Sequence, residues 1–175
     1  PGLEELLRQA IKKEVFGTKM RSVIKNANEN GVAAIVKQQF EIAKMIIAAK
    51  LVPIIEPEVD IHCETKAEAE TMLLEHLMDH IEQLSPDQKV LLKLTIPNEN
   101  NLFAPCINHP NVIRVFALSG GYSRDEANSR LARNSGMVAS FSRALTEGLS
   151  AQQSDEEFNL MLDSSIESIY QASIT

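Results

Sequence analysis

Apolar residues recur along this chain in two alternating rhythms: helical spacings of three and four, and short unbroken runs. Leu3, Leu6, Leu7, Ala10 and Ile11 follow the helical spacing, and Val15-Phe16-Gly17-Thr18-Lys19 reads as a buried strand. After Asn30-Gly31 a long periodic segment carries Ile35, Val36, Phe40, Ala43, Ile46 and Ile47. The run Leu51-Val52-Pro53-Ile54-Ile55 then stops at Glu56-Pro57. Leu73, Leu74, Leu77, Met78, Ile81 and Leu84 form one face of a third helix. Ser85-Pro86-Asp87 closes it and the strand Val90–Ile96 follows. Val112–Leu118 is a fourth strand ending at Ser119-Gly120-Gly121, after which Ser123 and Glu126 form a capping box. Met137–Phe141 reads as a fifth strand, and Ser154 with Glu157 caps a last helix bearing Phe158, Met161, Leu162, Ile166 and Ile169.

Strands alternating with helices, and apolar enough to be covered on both faces, predict a parallel α/β sheet of five βα units. Gly120-Gly121 matches neither GxGxxG nor GxxxxGK[ST], so a doubly wound nucleotide-binding domain lacks its fingerprint. The other common parallel architecture is the (β/α)8 TIM barrel, which typically takes about 250 residues. The chain opens Pro1-Gly2-Leu3 rather than on Met, already in an amphipathic pattern. Residues 1–175 are therefore expected to be the C-terminal part of a single barrel domain, with three strands lying before Pro1.

Composition narrows the function. A net charge of −7 argues against nucleic acid, because phosphate backbones are held by an excess of Lys and Arg. Cys63 and Cys106 lack CxxC spacing, so neither a disulfide framework nor a zinc site is expected, and a reducing cytoplasm fits. No apolar stretch approaches the roughly 18 residues of a membrane span. His76 and His80 stand four apart on a helix but lack a third metal ligand and an HExxH pattern, so a solvated helix face is expected. Met45, Met72, Met78 and Met161 read as core filler.

Three charged residues interrupt or end apolar strands. Lys19, Glu56 and Lys93 are evenly spaced, 37 residues from one to the next, which places them on three neighbouring strands. Lys93 alternates with Leu91 and Thr95, while Leu92, Leu94 and Ile96 take the helix-facing side, so Lys93 points into the barrel. The ordinary alternative is a solvated lysine on an edge strand. A lysine desolvated among apolar groups and near another cation is expected to have a lowered pKa, and imine formation requires the neutral amine. Glu56 emerges on the same face at the C-terminal end of its strand, with Glu58 next, although an acidic turn would look alike. Lys19 and Arg21 alternate similarly and fit either a basic loop or an anion clamp. Ser119, Gly120 and Gly121 end one strand and Ser142-Arg143 the next. Exposed glycine N–H groups and an arginine fork at those ends suit phosphate.

Thr18-Lys19-Met20-Arg21, Val52-Pro53-Ile54-Ile55-Glu56-Pro57-Glu58, Leu91-Leu92-Lys93, Leu118-Ser119-Gly120-Gly121 and Arg143-Ala144-Leu145 occur in the order and approximate spacing of class I fructose-bisphosphate aldolases. Over essentially its whole length the chain resembles that family, most nearly its bacterial branch. The resemblance implies reversible, metal-free cleavage of fructose 1,6-bisphosphate to dihydroxyacetone phosphate and glyceraldehyde 3-phosphate, with no cofactor. Lys93 would form the Schiff base, Glu56 would move protons with Glu58 in support, and Lys19 would hold the charge pattern. Ser119, Gly120 and Arg143 would bind the phosphate nearest the imine, and Arg21 the other. The family's first-strand aspartate and third-strand lysine would lie before Pro1. Ser142 stands where vertebrate members have Gly, and Tyr170 receives no role. The expected partner is a phosphorylated sugar, with neither nucleic acid nor membrane, in a cytoplasmic homo-oligomer. The alternatives are another Schiff-base phosphosugar aldolase, a transaldolase, or a non-catalytic half-barrel.

Overall fold

The computed structural model describes residues 2–175. In chain order they form α1 (Leu3–Lys12), β1 (Gly17–Ile24), α2 (Glu29–Ala48), β2 (Val52–Val59), α3 (Lys66–Ile81), β3 (Val90–Thr95), α4 (Ala104–Ile107), β4 (Val112–Leu118), α5 (Arg124–Leu131), β5 (Met137–Ala139), α6 (Arg143–Thr146) and α7 (Asp155–Ser173). The five strands are all parallel and lie in sequence order β1-β2-β3-β4-β5. Each strand is followed by a crossover that sets the next beside it, which is the winding of a (β/α) barrel, here an open arc.

Alternation along the strands sorts the side chains into two faces. Ile24, Ile55, Leu92, Leu94, Val115 and Ala117 lie on the covered face and join Val36, Phe40, Leu73 and Leu77 of α2 and α3 in one continuous core. The opposite face carries Lys19, Arg21, Glu56, Glu58 and Lys93 and opens onto a cleft. Among the described residues the helices therefore cover one face of the sheet, where the apolar strands predict cover on both.

Several local expectations are corrected. Val15 and Phe16 are exposed, the latter 66% accessible, and β1 begins only at Gly17. A side chain at Gly17 would sit 2.2 Å from the Val52 carbonyl oxygen, so the strand starts where β2 passes too close for any Cβ. β2 continues through Glu56 and Glu58 to Val59 despite Pro57, so these acids stand within the strand and not in a turn. β5 is shorter than the run Met137–Phe141. His76 and His80 do not line a solvated face: His76 Nε2 meets Glu29 Oε1 at 2.7 Å, and His80 stacks on Phe40 with ring centroids 5.0 Å apart. Met45 is exposed, while Met72 and Met78 pack on the core. The Ser154–Glu157 capping box forms as expected.

A buried ion pair fixes the top of β3. The Lys66 ammonium donates to Glu70, to the Ile96 carbonyl at 3.0 Å and to Asn98 Oδ1 at 3.1 Å, while Glu70 accepts the Asn98 N–H at 2.9 Å. Burial pushes the Lys66 amine below its usual pKa and the Glu70 carboxyl above its own, and each partner's charge opposes that push. With all three ammonium donors engaged, the pair satisfies its own hydrogen-bonding needs and ties the segment after Lys93 to α3.

β1 and β5 have no outer strand partner among the described residues, and apolar side chains such as Phe16, Ile166 and Tyr170 are more than 45% exposed nearby in sequence or in the groove beside β5. Unpaired parallel edges template association. The 175-residue chain is expected to sediment as oligomers or aggregates, and a monodisperse monomer in sedimentation velocity would contradict that reading of its edges.

Candidate active site

The charged face of the sheet forms an open cleft of about 460 Å³, lined by Lys19, Arg21, Glu56, Glu58, Lys93, Leu118, Ser119, Gly120, Ser140, Ser142 and Arg143. All eight residues singled out from the sequence thus line one cavity. A cleft of similar size, about 490 Å³, lies against Leu149, Ser150, Ala151, Gln153, Asp155 and Phe158. It gathers no basic group.

Glu56 is the centre of the site. Its side chain is only 4% exposed, yet Lys19 Nζ stands 2.5 Å from Oε2 and Lys93 Nζ 3.7 Å from Oε1. The two amines therefore address opposite oxygens of one buried carboxylate. Register explains the arrangement: β1 pairs with β2, and β2 with β3, so the inward residues of three neighbouring strands meet above Ile54 and Leu91. Lys93 keeps a fifth of its side chain accessible, and Phe116 of β4 lies beside it in register.

Glu58 and Arg21 form a second pair, with Arg21 Nε donating to Glu58 Oε2 at 2.7 Å. That hydrogen bond, and then the carboxylate's charge, raises the Arg21 pKa. Glu58 thus has Arg21 as its partner, and Arg21 is engaged by a carboxylate while still lining the cleft.

At the other end, Ser119 is buried and Gly120 and Gly121 turn with φ of +64° and +122°. A Cβ on Gly120 would lie 2.6 Å from Ile61 Cγ2. One on Gly121 would lie 3.2 Å from Ile61 Cδ1 and 3.9 Å from Arg143 Nη1. The Arg143 guanidinium is therefore beside the glycine turn, as an anion site built from both would require. Arg124 anchors the turn that bears Arg143: its Nη1 donates to the Glu147 carbonyl at 2.9 Å and to Ser165 Oγ at 2.7 Å, and its N–H to Glu147 Oε2 at 2.7 Å.

Ser140 also lines the cleft and was not anticipated. The available signal was its alternation with Val138 on β5. The two thiols stay outside the cleft: Cys63 and Cys106 are buried and free, and burial alone pushes the Cys106 thiol up to about 12. Among the described residues no three His, Cys, Asp or Glu side chains are grouped to hold a metal, and no helix is long and apolar enough to cross a membrane.

The Gly120 turn gives a direct test. Gly120→Ala adds a methyl group against Ile61 in a left-handed backbone, and is expected to cost about 1–3 kcal/mol in denaturant unfolding. A companion Ile61→Ala relieves the contact but not the backbone strain, so the double variant should recover only part. Equal stability of Gly120→Ala and the parent would refute the tight fit.

No protein-family model matches the chain. It is 65% identical over 175 residues to the class 1 fructose-bisphosphate aldolase of Synechocystis sp., covering all of this chain and 58% of that protein. The enzymes of that name from Porphyromonas gingivalis and Clostridium acetobutylicum are 56% and 54% identical, each over 99% of this chain and 59% of their own length. The chain thus spans somewhat under three fifths of these relatives. In fold it is similar to a solved fructose-bisphosphate aldolase from Plasmodium falciparum, crystallised with TRAP and a small-molecule inhibitor. The TM-score is 0.76 over 98% of this chain and 60% of that one, at 19% identity. Over its entire length the chain is thus similar to part of these class 1 fructose-bisphosphate aldolases, and its parallel arc has the fold of part of an aldolase barrel.

Proposed function

We propose that these residues carry the imine-forming part of a class I fructose-1,6-bisphosphate aldolase, and that Lys93 is the amine that bonds to the sugar ketone. The observation that carries this reading is the Lys93 amine on the open face of β3, 3.7 Å from a buried carboxylate and in the same cleft as Arg143 and the Gly120 turn.

Glu56 supplies a route to the neutral amine. Oε1 takes a proton from Lys93 Nζ, and the freed lone pair attacks the ketone carbon of fructose 1,6-bisphosphate. The resulting carbinolamine loses its hydroxyl as water when Glu56 returns the proton, leaving a protonated imine. As a carboxylate of the site takes the proton of the C4 hydroxyl, the imine accepts the electrons of the neighbouring carbon–carbon bond, the C4 carbonyl forms and glyceraldehyde 3-phosphate departs. Protonation of the enamine and hydrolysis of the imine release dihydroxyacetone phosphate. Lys19, held on Oε2, keeps the carboxylate oriented and balances charge as protons move. Arg21 holds Glu58, the second acid of the strand, and remains a candidate contact for the far phosphate. Ser119, Gly120 and Arg143 form the pocket for the phosphate nearest the imine. Neither cofactor nor metal enters this sequence of steps. Residues 1–175 belong to one barrel domain on this reading, in a cytoplasmic homo-oligomer. The free, buried thiols support the reducing compartment.

The tests use a full-length form, completed with the segment that the relatives carry beyond this match. Borohydride reduction in the presence of dihydroxyacetone phosphate should place a covalent adduct on Lys93 by peptide mass spectrometry, and an adduct on Lys19 with Lys93 unmodified would sink the assignment. Arg143→Ala should weaken binding of phosphorylated ketoses about tenfold to hundredfold, as expected for loss of a charged hydrogen bond. It should affect an unphosphorylated ketose far less, and equal losses for both would make Arg143 structural.

A further inference from the structure

The hydrogen-bond ladder between β2 and β3 lapses where the site begins. β1 and β2 pair without interruption from Gly17↔Val52 to Ile24↔Val59, whereas β2 and β3 pair only at Ile54↔Leu91 and Ile55↔Leu92. Beyond Ile55, side chains replace the ladder. Thr95 Oγ1 accepts the Val59 N–H at 3.0 Å and donates to the Val59 carbonyl at 2.7 Å. The Glu56 N–H donates to Gln39 Oε1 at 2.9 Å.

Gln39 reaches this point from the middle of α2 and is 2% exposed, beside a Glu56 that is 3% exposed. Buried glutamine is unusual, because an amide out of water needs partners for both its ends. Here one end is used: Oε1 takes the backbone N–H, while Nε2 has no protein partner among the described residues. An apolar residue would fill the helix position without that orphaned donor, so the side chain's contribution is its acceptor. The acceptor acts on one atom, the backbone nitrogen of Glu56, immediately before Pro57, which has no N–H of its own.

We propose that Gln39 is a positioning residue for Glu56, fixing the β2 backbone clear of β3 so that the carboxylate stands between Lys19 and Lys93 with room for a reacting carbon beside the Lys93 amine. This rests on the reading of Glu56 as the proton carrier of imine formation. The helix supplies rigidity: α2 packs against both β1 and β2, and its Val36, Phe40 and Ala43 are wholly buried around Gln39. Loss of the acceptor leaves the Glu56 N–H buried and unpaired, which drives the strand toward the carbonyls of β3 or toward water, and the carboxylate moves with it.

The full-length form is again the protein to test. Gln39→Met conserves shape and removes the acceptor. It is expected to lower kcat and the rate of borohydride-trappable imine formation together, by about tenfold to hundredfold, the scale of an ångström's misplacement. KM for the bisphosphate should stay within about threefold, because the phosphate pocket is untouched. In a Glu56→Gln background the same change should cost almost nothing further, since its effect passes through Glu56. Gln39→Glu keeps an oxygen acceptor and should restore imine formation at the acidic end of its pH profile, with the profile displaced by the second carboxyl group. Overturning results are an unchanged kcat with only a lower melting temperature, losses that multiply with Glu56→Gln, or, where Gln39→Met does not fold, a Gln39→Glu profile identical to the parent's. A parent that traps no imine at all would sink the functional reading and this role with it, whereas an active parent indifferent to Gln39 sinks the role alone.

Discussion

A carboxylate buried between two ammonium groups is the constraint from which the rest of this site follows. A side chain only 4% exposed gives Glu56 little water, and burying a charge without partners is costly. Lys19 and Lys93 offset that cost by reaching the carboxylate from the strands on either side, Lys19 from a position in register with Ile54, two residues before Glu56. That demands three adjacent strands, parallel and in fixed register, with their charged residues on the uncovered face. A one-residue slip of any strand would put its charge into the apolar layer beneath the helices. The core of Ile24, Ile55, Leu92 and Leu94 thus specifies the ionic arrangement above it by making every other register expensive.

Much of this was legible from spacing. The even interval between Lys19, Glu56 and Lys93 placed them on neighbouring strands, and alternation around Lys93 assigned its face, because strand periodicity is strictly two. The strand Val112–Leu118 was bounded correctly by its flanking turns. Legibility failed where tertiary contacts override local pattern. Val15 and Phe16 look buried by composition, but nothing described lies over them. Pro57 looks like a strand terminator, yet the strand runs on because pairing with β1 continues and the β3 side is already given up to side chains.

The polar interior was the least visible part. Nothing in the spacing of Lys66 and Glu70 marks them as buried; the contacts to the Ile96–Asn98 segment are made only in the fold. Gln39 follows Lys37 and Gln38 in α2, and nothing in the sequence distinguishes it from those two polar neighbours. Its meaning depends on a strand nitrogen that lost its own partner, a fact about two other strands. His76 and His80 likewise face outward by helical geometry and are claimed by Glu29 and Phe40 of a neighbouring helix.

Ile61 packs against the glycine turn at one end of the cleft. It follows the strand of the acids and rests its methyl groups against Gly120 and Gly121, at the distances where an added Cβ would collide. The glycine turn is thereby seated against the segment that follows β2, the strand that carries Glu56. On the proposed function the proton carrier and the anion site then share one stretch of backbone, so a displacement of that stretch reaches both at once.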